Sequence, residues 1–331
     1  MRAAALAVLA LLVLAAPAGA AKRTVVAKVP FATNIAFDPA GGMWVTSGAG
    51  AAQPTDGVWY VPKGSARARH VARGLHTALG LAWHGGELYV SHVVTPSRGA
   101  VTALSGFAGG RFAKRRAVLR NLRIGRHTVD SIVSSPDGRR LLVGVGSVKD
   151  ASGPPGRVLS FTPSGRGVRV EATGLRNPYG LAFVPGTDDL LITDNARDDL
   201  GPFRPPDELN VVLGLGGRAP HFGFPRCRAT CARPIARLPA HASADGLAVK
   251  AAPDGGAVAY VAEFGSSFAA NRTGRDVRRI RLTPRPRDSY ATTVSVLDRF
   301  RQNDPLGAAI GPDGDLYVTL LISGRVVRYD V

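Results

Sequence analysis

Gly180-Leu181-Ala182-Phe183, Pro185-Gly186 and Leu190-Leu191-Ile192-Thr193-Asp194-Asn195 form the stretch that decides the fold. Two short apolar runs flank a Pro-Gly turn, which predicts a β-hairpin. Just before it stands Gly174-Leu175-Arg176-Asn177-Pro178-Tyr179. After it come Asp198-Asp199-Leu200-Gly201-Pro202, Pro205-Pro206-Asp207-Glu208-Leu209-Asn210 and His221-Phe222-Gly223-Phe224-Pro225. The region beyond the hairpin, crowded with carboxylates, Gly and Pro, reads as a functional loop on a rigid sheet.

The hairpin recurs. Asn34-Ile35-Ala36-Phe37 turns at Asp38-Pro39 into Met43-Trp44-Val45-Thr46. Gly80-Leu81-Ala82-Trp83 turns into Leu88-Tyr89-Val90-Ser91. Ser131-Ile132-Val133 turns at Pro136-Asp137-Gly138 into Leu141-Leu142-Val143. Gly246-Leu247-Ala248-Val249 turns at Pro253-Asp254-Gly255 into Ala259-Tyr260-Val261. Gly307-Ala308-Ala309-Ile310 turns at Pro312-Asp313-Gly314 into Leu316-Tyr317-Val318-Thr319. With the first, these make six hairpins spaced roughly 40–65 residues apart, the spacing of propeller blades with insertions. Weaker strand signals at Gly57-Val61, Arg157-Phe161 and Arg325-Tyr329 supply outer strands, and no helical periodicity is seen beyond the N-terminus. The expectation is an all-β chain, a six-bladed β-propeller of four-stranded antiparallel blades, with residues 21–331 as one domain. A β-sandwich of similar strand count is the alternative, but it needs no repeating turn.

Composition agrees. The 331 residues are 45% hydrophobic and 20% charged, enough for a packed core, and 40 Gly with 24 Pro suit many turns. Residues 1–20 read as a signal peptide: Arg2, an apolar run from Ala3 to Ala16 too short to span a bilayer, then Ala18-Gly19-Ala20. An uncleaved anchor is the alternative. Export to a periplasmic or extracellular space follows, and no later run predicts a membrane span. In an exported chain Cys227 and Cys231 suggest a small-loop disulfide, with a CxxxC metal pair as the other option. The net charge of +18 is spread along the chain. Its densest group, Arg275, Arg278, Arg279, Arg281, Arg285 and Arg287, carries no aromatic-rich motif, so nucleic acid is not an expected partner.

A propeller predicts its own site, because residues just before each inner strand meet at one mouth of the channel. Aligned on the turns, the position of Arg176 is held by Pro30, His76, His127, Ala242 and Asn303 in the other blades. Two histidines and an arginine should therefore converge near the axis, with Thr77, Thr128, Asn177, Tyr179, Asp130, Asp245 and Asp304 around them. His70, His84 and His92 read as surface or turn residues. His221 and His241 are undecided.

Gly174-Leu175-Arg176-Asn177-Pro178, Asp194-Asn195, Pro206-Asp207-Glu208-Leu209-Asn210 and Phe222-Gly223-Phe224-Pro225 together resemble the glucose/sorbosone dehydrogenase family, whose last motif is Tyr-Gly-Trp-Pro. The resemblance implies an exported six-bladed propeller that uses pyrroloquinoline quinone (PQQ) and calcium to oxidise an aldose or related sugar at C1. It implies that His127, nine residues before Pro136, is the catalytic base, assisted by Arg176. Arg176, Asn177 and Asp207 would contact the cofactor, His76 and Tyr179 the sugar, and the carbonyls of Gly201 and Pro202 the calcium. The chain departs from the family in its last two blades. Asn303-Asp304-Pro305 stands where an arginine-containing segment is expected, and Glu263-Phe264-Gly265-Ser266-Ser267-Phe268, with Asn271-Arg272 displaced, lacks the family's histidine. Arg301, with Arg299 and Arg272, is then the expected substitute for the missing cation. Two other functions stay open: a propeller that has lost catalysis and binds a carbohydrate or surface polymer, and a calcium-dependent lactonase-type hydrolase built on Asp130, Asp245 and Asp304. Neither the electron acceptor nor the oligomeric state can be read from the sequence.

Overall fold

The structure, a computed structural model, describes residues 22–331 apart from 49, 51, 228, 229, 269, 271, 287 and 288. The expected signal segment therefore lies outside the described residues, as do Asn271 and Arg287. The chain enters on β1 (Arg23–Lys28). Blade 1 is β2 (Ala32–Phe37), β3 (Met43–Ser47), β4 (Gly57–Val61) and β5 (Arg69–Arg73). Blade 2 is β6 (His76–His84), β7 (Glu87–Thr95), β8 (Arg98–Ala108) and β9 (Arg111–Arg123). Blade 3 is β10 (Val129–Ser134), β11 (Leu141–Val145), β12 (Gly156–Phe161) and β13 (Arg169–Leu175). Blade 4 is β14 (Pro178–Phe183), β15 (Leu190–Asp194), β16 (Pro206–Val212) and β17 (Ala236–Ala240). Blade 5 is β18 (Ala244–Ala251), β19 (Ala257–Glu263), β20 (Asp276–Arg285) and β21 (Ser289–Arg299). Blade 6 is β22 (Pro305–Ile310), β23 (Leu316–Leu320) and β24 (Arg325–Tyr329), with β1 paired to β24 as its outermost strand. Every sheet is four-stranded, the pairings are antiparallel, and the six inner strands touch in a closed ring. No helix among the described residues is long and apolar enough to cross a membrane.

The apolar pattern explains the ring. Each blade is covered on both faces, so its second strand reads as a continuous apolar run rather than an alternating one. In β11, Leu141 and Val143 pack toward blade 2 while Leu142 packs toward blade 4. In β15, Leu191 faces blade 5 and Ile192 faces blade 3. The core is thus distributed, with one hydrophobic cluster at each of the six junctions between neighbouring blades. The Pro-Asp-Gly turns close as expected: Gly138, Gly255 and Gly314 take positive φ and donate their N–H to Ser135, Ala252 and Gly311 carbonyls.

One device was not read from the sequence. The hydroxyl closing the second-strand motif bridges two blades. Gly180 N–H donates to Thr193 Oγ1 at 2.8 Å, and Thr193 donates to Asp245 O of the next blade at 2.7 Å. Ser91 repeats this between Gly80 N and Asp130 O, and Thr319 between Gly307 N and Thr33 O. The recurring glycine serves the same contact, since a β-carbon at Gly80, Gly180 or Gly307 would collide with that neighbouring carbonyl. One sequence expectation needs correction. Pro206-Asp207-Glu208-Leu209-Asn210 is not loop but the start of β16, paired to β15 and β17, because Leu209 and Val212 are needed in the core.

Candidate functional site

Opposite the Pro-Asp-Gly turns, the segments leading into the inner strands of blades 3, 4 and 5 enclose a cavity of about 340 Å³. That is within the size range of ligand pockets. Its lining comes from Arg126 and His127, from Arg176, Asn177 and Tyr179, from Asn195, Ala196 and Asp198, and from Asp207. Blade 5 adds His241, Ser243, Asp245 and the Phe264–Phe268 segment, and Leu306 and Leu321 complete it.

Each wall has a local cause. The Asp194 carboxylate at the end of β15 accepts Arg176 N–H at 3.0 Å and Asn177 N–H at 2.7 Å, which turns these residues into the cavity. Gly146 lies beneath His127 and Asn177, where a β-carbon would collide with His127 and stand 2.9 Å from Asn177 Oδ1. Asp207 clamps blades 4 and 5 together by accepting Ala196 N–H at 2.9 Å and Ala244 N–H at 3.1 Å.

A chain of charges runs along this wall. Arg176 is only 3% exposed. It donates from Nε and Nη2 to Asp150 Oδ1 (3.1 and 2.5 Å), from Nη2 to Asp198 Oδ2 (2.5 Å) and from Nη1 to Asn195 O (3.0 Å). A guanidinium has five N–H donors, so one Nη1 donor is left. Asp198 Oδ1 meets His241 Nδ1 at 3.0 Å, and His241 Nε2 meets Gly201 O at 2.8 Å. At the other end, His127 Nε2 lies 3.6 Å from Asp150 Oδ1, beyond hydrogen-bond distance.

These surroundings set the protonation states. Burial, reinforced by Arg176, lowers His127 to about 3, so its imidazole is neutral at physiological pH. Burial raises Asp207 to about 6. It raises Asp245 to about 8 against the hydrogen bonds from Asn195 and Ser243. Asp130 is also pushed well up by burial and by Asp245. Four buried polar atoms of the lining have no partner: His127 Nε2, Asn177 Oδ1, Tyr179 Oη and Asn195 Oδ1. Buried polar atoms are seldom left so, and four around one cavity point to a polar ligand.

Of the residues singled out in the sequence, His127, Arg176, Asn177, Tyr179, Asp207 and Asp245 meet here. His76 does not: it is exposed, sits 3.3 Å from Asp56 and lines a separate cleft between blades 2 and 3. Arg301 is exposed and outside the lining. Gly201 and Pro202 lie behind His241 rather than in the wall. Asp304 is spent on its own turn, accepting Ile322 and Ser323 N–H at 2.9 and 3.0 Å. Cys227 and Cys231 form a disulfide. His221 packs its ring on Gly174 and accepts Gly223 N–H, outside the cavity. Asp150 and Asp198 are the residues that sequence reasoning missed, and His241, left undecided there, belongs to the site. The turn-based register put Ala242 at the mouth, but the cavity takes its two neighbours, His241 and Ser243, and Ala242 is fully buried between them. Asp198 stood within the quoted stretch, whereas Asp150 had no motif around it.

The residues suit the two expected cofactor components differently. The remaining Arg176 donor, the Tyr179 hydroxyl and Arg126 at the rim fit a carboxylate-bearing ring such as a quinone, and the acceptor oxygens of Asn177 and Asn195 fit hydroxyl donors such as those of a sugar. The donor set does not fit calcium at Gly201. Its carbonyl already faces the His241 ring, both Asp198 oxygens are committed, and no three His, Cys, Asp or Glu side chains among the described residues converge as a metal site.

No protein-family model matches the chain. An uncharacterized protein of Borreliella burgdorferi is 35% identical over 89 residues, a match covering 26% of this chain and 23% of that protein. Solved structures are similar over nearly the full length. A Trichoderma reesei carbohydrate-active enzyme of family AA12, in a calcium structure, superposes with TM-score 0.76 at 18% identity, covering 95% of this chain and 96% of that one. The PQQ domain of a Coprinopsis cinerea pyranose dehydrogenase, in holo form, gives 0.77 at 15% identity (94% and 97%). A putative oxidoreductase (glucose dehydrogenase) of Thermus thermophilus gives 0.72 at 25% identity (93% and 99%). In architecture, then, this chain is a six-bladed propeller of the kind found in glucose and pyranose dehydrogenases.

Proposed function

We propose that the protein is an exported sugar oxidoreductase that holds a PQQ-type quinone in the blade 3–5 cavity and oxidises an aldose or related sugar at C1. The observation that carries this reading is the set of unpartnered buried atoms, His127 Nε2, Asn177 Oδ1, Tyr179 Oη and Asn195 Oδ1, on four residues that line one cavity of that fold. The chemistry supplied by a bound quinone is acceptance of a hydride. The remaining work falls to side chains. His127, neutral and with Nε2 free, is placed to take the proton of a sugar hydroxyl. Asn177 and Asn195 offer fixed acceptors to ligand donors, and Tyr179 offers a hydroxyl. Arg176, locked by Asp150 and Asp198, supplies a positive field and its remaining N–H to an anionic oxygen.

The test is a titration of the mature protein with PQQ, followed by a panel of aldoses with an artificial electron acceptor. Stoichiometric binding and sugar-dependent reduction are expected. His127→Ala should lower kcat by at least about 100-fold, the scale of general-base catalysis, while PQQ binding persists. Absence of PQQ binding would put the non-catalytic carbohydrate-binding reading in first place.

A further inference from the structure

We propose that His241 takes the place of the calcium ion at Gly201, so that this cavity holds its ligand without a divalent cation. The inference deepens the quinone reading and rests on it only for the role of the cavity. Gly201 O, the carbonyl expected to hold calcium, lies 2.8 Å from His241 Nε2. The opposite ring nitrogen lies 3.0 Å from Asp198 Oδ1, and the ring packs on Phe268 with centroids 4.6 Å apart. The imidazole is thus held on three sides and 6% exposed.

The count of free ligand oxygens points the same way. Calcium sites need several oxygen ligands, with carboxylates among them, at about 2.3–2.6 Å. Asp198 is the carboxylate tied to this loop through His241. One of its oxygens is on His241 and the other on the buried Arg176 guanidinium. Arg176 is in turn shared with Asp150. One guanidinium offsets only one of these two carboxylates, so the ring keeps a divalent ion from Gly201 by occupying its carbonyl and Asp198 Oδ1. The ring stands between Asp198 and the 201 carbonyl, the two oxygens that a cation would otherwise join; both are acceptors, so bonding to both takes an N–H on each ring nitrogen. In this way it fixes the loop after β15 against the approach to β18.

Calcium chloride would be titrated calorimetrically, without quinone, into the full mature protein and into His241→Ala, up to a few millimolar, above the roughly 10⁻⁴–10⁻³ M range of extracellular calcium modules. The wild type should give no saturable heat. His241→Ala frees both oxygens and should gain saturable calcium binding and a calcium-dependent rise in melting midpoint. His241→Gln, which keeps an N–H for the carbonyl, should remain calcium-insensitive. In parallel, the PQQ affinity of the wild type should agree within about twofold between EDTA and calcium, well inside the tenfold change that 1.4 kcal/mol would make. Loss of PQQ binding in EDTA, or no calcium response in a folded His241→Ala, would overturn the inference. If PQQ binds under neither condition, the quinone reading fails, while the calcium titrations still decide the role of His241.

Discussion

His127 shows how much one neighbour can set a residue's chemistry. Burial and the Arg176 guanidinium act together to lower it to about 3, and Asp150 only partly offsets them. Removing the cation in Arg176→Gln should move the His127 titration upward, toward but not reaching 6.5, as read from its imidazole NMR signals. No movement would mean that burial alone sets it. Asp245 titrates in the opposite sense. Folded, it keeps its proton to about 8, whereas an unfolded Asp loses it near about 3.9. Between those values the native state binds more protons, so its contribution to stability falls as pH rises. Asn at 245 can still accept from Asn195 and donate to Ser243, yet it does not titrate. Asp245→Asn should therefore match the wild type at pH 4 and melt about 2–6 °C higher at pH 8. Equal midpoints at both pH values would show that Asp245 is not a buried acid. The residues of the site were unevenly legible for a physical reason. His127 and Arg176 precede inner strands that a repeating turn registers, while Asp150 reaches Arg176 from a loop of no periodicity.

At the level of the elements, the inner strands of blades 2, 4 and 6 and their partners are bound to the next blade by one hydroxyl and one absent β-carbon. Six hairpins were legible because the apolar runs and Pro-Asp-Gly turns are local. The bridge itself was not, because its acceptor is a backbone carbonyl 39, 52 or 286 residues away (Asp130, Asp245 and Thr33), to which the sequence gives no sign. Thr46, Ser91, Thr193 and Thr319 stood within the motifs and read only as ends of apolar runs. Their importance follows from burial: all four are 0% exposed. Thr193→Val keeps the shape and removes the oxygen, leaving Gly180 N–H and Asp245 C=O without this partner. A cost of about 1–3 kcal/mol is expected from the unmet polar groups, measurable as a lower midpoint in denaturant at unchanged slope. A cost near zero would show that the ring is held by its apolar junctions alone. The same bridge ties the site to the scaffold, since the Asp245 carbonyl and carboxylate belong to the strand that brings Ser243 and His241 to the cavity.

At the scale of the whole molecule, the ring is closed by β1, the strand nearest the N-terminus among those described. It lies against β24, so the sixth blade is built from both ends of the chain. Ala27 and Val29 are buried in the junction with blade 1 beside Ile35, Val45 and Val326. Arg23 extends the closure to blade 5: Nη1 donates to Asp298 at 2.7 Å, the guanidinium lies 4.6 Å over Phe300, and Tyr329 Oη reaches the same carboxylate at 2.9 Å. A propeller has no single core to fall back on, because its apolar area is divided among six junctions. Losing one strand therefore opens a junction and exposes the edge of β24, which can pair with another chain. The cavity lies mainly across blades 3, 4 and 5 and meets the seam's own blade through Leu306 and Leu321, so its geometry depends on the seam through those residues and the closed ring. Removing residues 22–29 should lower the unfolding midpoint sharply, promote association through β24 and weaken ligand binding, although no residue of the site is changed. A synthetic peptide of residues 22–29 added in excess should restore a monomeric species with the original midpoint. If the truncated protein keeps the wild-type midpoint and stays monomeric, β1 is an ornament on a sheet already complete. The strain of ring closure must then be borne by the inner strands and their hydroxyl bridges.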